Sequence, residues 1–144
     1  MNILALDLAT KTGWAHSDGS SGVFRLPDYP HRGARWAAFA NWLDDVLSEK
    51  PTDLVVFEQA HHRGGSSTRF ALAVVTETER MAAWNNAEVK SYHTATIKKH
   101  ATGRGRATKD DMLAAAIERN PSRAFEDDNE VDALFLLDLA ISDS

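Results

Sequence analysis

Residues 3 to 7 of this chain read ILALD, four apolar residues closed by a carboxylate. The run is far too short to cross a membrane and has the length of a buried strand. A charge in such a strand is costly unless it is paired or coordinates a cation. Taken singly, Asp7 could do no more than cap its strand and accept bonds from the polar turn behind it, Thr10, Lys11, Thr12 and Gly13, before Trp14 and Ala15 open a second strand. The same device returns at residues 54 to 58, LVVFE, where Glu58 closes another apolar run. Sequential strands joined through a helix tend to be neighbours in a sheet, which would set Asp7 and Glu58 side by side.

The rest of the chain supplies the partners of these strands. Short strands over 13–17 and 22–26, separated by a Ser-Asp-Gly-Ser-Ser turn, extend the first into an antiparallel meander of three. A helix runs from about His31 to Glu49, because Trp36, Phe39, Ala40, Leu43, Val46 and Leu47 recur at spacings of three and four; Pro51 follows where it cannot extend it. Beyond Glu58 lies a polar loop holding His61, His62 and Arg63. A second helix begins at Thr68 and ends at Trp84, with apolar coverage wide enough for either deep burial or a partner. A strand over 89–92, a brief helix over 94–100 and a glycine-rich loop follow. Thr108 is a good N-cap for the next helix, with Asp110 and Asp111 in its first turn. The last helix starts near Asp127 or Asp128 and is apolar over most of its surface. The expectation is one α/β domain over 1–144: a mixed five-stranded sheet, three strands antiparallel and then two parallel, with helices on both faces.

Composition narrows the function. With 43% apolar residues, 144 residues can bury the core of one domain. The chain has no cysteine, which excludes disulfides and thiolate zinc sites. The start lacks the layout of a secretory leader, so a soluble, cytoplasmic protein of a bacterium or a phage-infected host is expected. The formal net charge of −5 argues against a nucleic-acid partner, but its distribution argues the other way. Lys98, Lys99, Arg104, Arg106 and Lys109 fall in one stretch without an acid, whereas Glu126, Asp127, Asp128, Glu130, Asp132, Asp138 and Asp143 follow without a base. Either these are two solvated faces of opposite sign, or a basic strip serves a metal-dependent enzyme acting on a polyanion.

Asp128 and Asp132 stand four apart and share a helical face. Together with Asp7 and Glu58 they would repel strongly unless a cation sat among them, and hard oxygen ligands select Mg²⁺ or Mn²⁺. Two such ions about 4 Å apart can stabilise the attacking and leaving oxygens of a phosphodiester hydrolysis.

The sequence resembles the RuvC family of Holliday-junction resolvases, within the ribonuclease H-like fold, and is more similar to the short phage-type members than to the bacterial ones. The resemblance runs nearly end to end and rests on ILALDLATKTGWA, VVFEQ, IKKHATGRGRATKDDM and DDNEVDALFLLDLA. The third is the most specific, since nothing structural requires a lysine pair, a Gly-x-Gly loop and a further lysine together. The resemblance implies that Asp7, Glu58 and Asp132 are metal-binding, catalytic carboxylates. The fourth acid of the family lies three residues before the last, which here is Asn129; Asp128, one residue earlier, is assigned its role. Lys98 and Lys109 match basic residues near the scissile phosphate, Lys109 with a catalytic part. Lys99, Arg104, Arg106 and Arg63 are expected to hold DNA, and His61 stands where bacterial members stack an aromatic on junction bases. Implied with this are two Mg²⁺ ions replaceable by Mn²⁺, paired symmetric nicks leaving 5′-phosphate and 3′-hydroxyl ends, a four-way junction as preferred substrate, and a homodimer using the helix from Thr68 to Trp84.

Three rival readings remain at this point. An actin-like phosphotransferase shares the strand-Asp-Thr-Gly turn but needs a second lobe that 144 residues cannot hold. A non-cleaving binder of branched DNA would suit the neutral Asn129. A broader debranching nuclease acting on flaps, forks or Y-junctions would use the same carboxylates.

Overall fold

The computed structural model describes residues 1–59 and 65–144, with the backbone alone for Ser66 and Ser67. Its elements are β1 (Ile3–Asp7), β2 (Lys11–His16), β3 (Ser21–Arg25), α1 (Arg32–Glu49), β4 (Leu54–Glu58), α2 (Gly65–Trp84), β5 (Glu88–Tyr92), α3 (Thr94–Thr102), α4 (Lys109–Arg119) and α5 (Asp128–Asp143). The strands form one sheet in the order β3-β2-β1-β4-β5. β1 is antiparallel to β2 and β2 to β3, whereas β1–β4 and β4–β5 are parallel. β1, β3, β4 and β5 therefore point their C-terminal ends the same way.

Helices cover both faces, which is why the central strands are apolar throughout rather than alternating. Ile3, Ala5 and Val56 pack with residues of α3, α4 and α5. Leu4, Leu6, Val55 and Phe57, pointing the other way, pack with residues of α1 and α2. α5 lies directly on β1 and β2. Among the described residues no helix is long and apolar enough to cross a membrane.

Several element ends differ from the expected ones for local reasons. β2 starts at Lys11, not Gly13, because Lys11 pairs with Arg25 and the buried Thr12 hydroxyl donates to the Ala9 carbonyl, shortening the turn. α2 starts at Gly65 rather than Thr68. α3 continues to Thr102 and is stopped by Gly103 in the left-handed region at φ 83°, a conformation that costs glycine nothing. Asp127 proves to be the N-cap of α5, its carboxylate accepting from the Asn129 and Glu130 amides.

Candidate active site

The sheet brings the strand-end acids together as follows. Leu6 is paired with Phe57, so Asp7 and Glu58 leave adjacent parallel strands at the same end. On its other side Asp7 is paired with Gly13. A Cβ at Gly13 would lie 1.9 Å from the Asn129 carbonyl oxygen, so the absence of a side chain there allows the first turn of α5 to rest on the sheet. That turn is tied down again by Glu130, 6% exposed, whose carboxylate accepts from the Glu126 amide at 2.9 Å and the Ser21 hydroxyl at 3.2 Å. The Arg123 guanidinium in turn donates to Ser21 Oγ. Asp132, on the next turn of α5, is thereby carried to the end of the sheet where Asp7 and Glu58 stand.

The electrostatics record this convergence. Burial first, then the charges of Asp132, Glu58 and Asp127, push the Asp7 carboxyl well above the usual carboxylate range, with Lys109 opposing. Burial, followed by Glu58 and Asp128, raises Asp132 to about 6, against Lys109 and Lys98. Three acids from β1, β4 and α5 thus share one field with two lysines.

A cavity of about 190 Å³ opens at this point, lined by Glu58, Thr94, Ile97, Lys98, Lys109, Met112 and Asp132. Thr94 was not visible as a site residue: a threonine opening a helix reads as a cap. The structure instead gives the cap position to His93 and turns the Thr94 hydroxyl to donate to Glu58 Oε1. Lys98 follows one turn later on the same face of α3. Lys109, the first residue of α4, places Nζ 3.6 Å from Asp128 Oδ2. Both side chains are largely exposed, at 84% and 59%, so the pair contributes little to stability and leaves both ends free to serve a ligand.

Asp128, expected as the fourth acid, is one of two neighbouring acids near the site. Asp128 sits at the rim, within the field of Asp132, whereas Asp127, the helix cap, is the one whose charge reaches Asp7. Asn129 gives its backbone to the Gly13 contact and its side-chain amide to Asp127 Oδ2, at 3.5 Å. Lys99, Arg104 and Arg106 are exposed on α3 and the loop beyond it, with Arg104 held by Asp111 at 2.9 Å. His61 and Arg63 lie outside the described residues.

Among the described residues no three acidic or imidazole groups are arranged as a ready ion cage. The donor chemistry nevertheless fits a hard divalent cation. Asp7, Glu58 and Asp132 offer carboxylate oxygens only, and the burial and mutual repulsion that raise Asp7 and Asp132 are what such a charge would offset.

No family model matches the sequence, and a sequence search of curated proteins finds no match. Solved structures do match. The RuvC structure of Thermus thermophilus superposes with a TM-score of 0.76 at 15% identity, covering 94% of this chain and 90% of that one. RuvC from T. thermophilus in complex with a Holliday junction substrate gives 0.78 at 16% identity, with the same coverage. The yeast mitochondrial Holliday junction resolvase Ydc2 gives 0.65 at 11% identity, over 93% of this chain and 75% of that one. With its five-stranded mixed sheet and this superposition, the chain has the ribonuclease H-like fold of RuvC.

Proposed function

We propose that this chain is a metal-dependent, structure-selective DNA endonuclease that resolves four-way junctions by paired nicks. The observation that carries the reading is the convergence of Asp7, Glu58 and Asp132 at one end of the sheet, beside a cavity that Glu58, Asp132, Lys98 and Lys109 line. The fold shared with two junction resolvases supports it. Mg²⁺ or Mn²⁺ held by Asp7, Glu58 and Asp132, with Asp128 at the rim, would supply a water of lowered pKa and charge stabilisation at the leaving 3′ oxygen. The chain's own residues bind and orient. Lys98 and Lys109 offset phosphate charge in a molecule of net charge −5. Thr94 holds Glu58, and Ile97 and Met112 give the cavity an apolar wall.

The decisive experiment incubates the protein with labelled four-way, Y-shaped and linear duplex DNA, each with and without Mg²⁺. Symmetric nicks in the four-way junction with ligatable ends support the reading, and cutting of Y-junctions and flaps at equal rates replaces it with a debranching nuclease. Binding without cutting in either metal would favour a non-cleaving binder, the alternative suggested by Asn129. Asp7→Asn is expected to abolish cleavage and to leave junction binding intact or tighter.

Two nicks in a near two-fold substrate call for two sites, and a C₂ dimer supplies them. On α2, Leu72 and Trp84 are 49% and 77% exposed, and this helix is the interface we propose.

A further inference from the structure

The chain carries 21 acids, yet residues 29–43 and 59–76 contain none. In the fold the described parts of these two stretches include the beginnings of α1 and α2, and those beginnings lie against each other. The Arg35 guanidinium sits 5.4 Å above the Phe70 ring, and that of Arg69 sits 5.6 Å above the Trp36 ring. Arg32, one turn before Arg35, is exposed. Among the described residues none of these three arginines pairs with a carboxylate, whereas Arg25, Arg80, Arg104 and Arg119 each do. Arg35 Nε is buried and has no hydrogen-bond partner there. An arginine laid on a ring keeps its outward N–H groups available while losing part of its rotamer freedom in advance. In an acidic protein, a cluster of cations left without acids and stiffened by aromatics is suited to a polyanion.

Its place in the fold says which part of the polyanion. β3 and β4, which precede α1 and α2, end at the same end of the sheet as Asp7. α1 and α2 then run along the face opposite to α3, α4 and α5. The carboxylates are thus flanked by basic groups on both faces: Lys98 and Lys109 on one, the three arginines on the other. A single straight duplex has one axis, whereas a branched DNA sends a second duplex away from the branch. We propose that the α1–α2 arginine face is a second phosphate-backbone site, which takes the arm of a branched DNA leading away from the nicked strand. This inference rests on the nuclease reading above and adds a specificity surface to it.

The test measures affinity in EDTA for a four-way junction and a linear duplex across a salt series, using wild type, R32Q/R35Q/R69Q and R32K/R35K/R69K. The glutamine variant is expected to lose about 2 to 3 from the log–log salt slope on the junction, and about tenfold or more of the preference for junction over duplex. The lysine variant should keep the slope. Because Arg35 and Arg69 also pack on rings, Arg32→Gln alone serves as the variant that cannot disturb the helix pair; its slope on the junction should fall by about 1. A wild-type slope and preference in both glutamine variants would overturn the inference, as would equal losses on junction and linear duplex. Failure of the wild type to bind or cut any junction would bring down the nuclease reading too, whereas a wild type that cuts normally beside unaffected variants removes this inference alone.

Discussion

At the scale of the residue, Asp132 shows what the site does to its own stability. Its carboxyl is raised to about 6, first by burial and then by Glu58 and Asp128. A folded-state pKa above the unfolded one means that the native protein holds the proton more tightly. In metal-free solution the native state therefore loses stability as pH rises from about 4 through about 6. Asp132→Asn removes that loss. The difference in Tm between the variant and wild type in EDTA should grow over this interval in the variant's favour, and Mg²⁺ should shrink it. A difference that is flat with pH would mean that Asp132 stands in a different environment. Thr94→Val, which deletes the hydroxyl bonded to Glu58, is expected to raise the Mg²⁺ concentration needed for half-maximal cleavage by about tenfold, equivalent to about 1.4 kcal/mol. Thr94→Ser should restore it, and metal titration by calorimetry follows both. Asp7 and Glu58 were legible because a charge closing an apolar run has few cheap explanations. Thr94 was not, since the hydroxyl it spends on Glu58 looks in sequence like one spent on an amide.

At the scale of the element, α4 is set by its cap. Thr108 accepts from the Asp111 amide while the Asp111 carboxylate accepts from the Thr108 amide, a reciprocal capping box. Thr108→Ala should cost about 1 kcal/mol in denaturant unfolding, and it loosens the turn that carries Lys109. Lys109→Ala should leave stability unchanged and lower the salt slope of DNA binding by about 1. This helix was readable in full, because cap, first-turn acids and apolar spacing agree. The start of α5 was harder. Glu126, Asp127 and Asp128 are three successive acids, any of which could cap. Asp127 takes the cap, which puts Asp128 at the rim and Asn129 against the strand. One step in that choice rotates every acid of the helix by about 100°, which is why the sequence left open whether Asp128 or Asn129 stands beside Asp132.

At the scale of the whole molecule, the sheet order followed from run lengths and turn residues, since consecutive strands tend to pair and a helix between strands makes them parallel. What no local pattern could show is which chain segments touch across the sheet. Trp84 and Leu72 are exposed in a helix that was expected to be apolar, and a dimer is the proposed reason. Sedimentation of Leu72→Glu/Trp84→Glu should then give a monomer that still binds a single duplex arm but no longer makes paired nicks. A wild-type mass for the variant would place the interface elsewhere. The contact between Gly13 and the Asn129 carbonyl has a consequence for how such a site can change over time. Where two main chains meet with nothing between them, their separation is set by the thickness of a peptide unit. Substitutions elsewhere can recharge or widen the rim of the cleft, but the gap between the outer helix and the strand beside Asp7 has no side chain through which to drift.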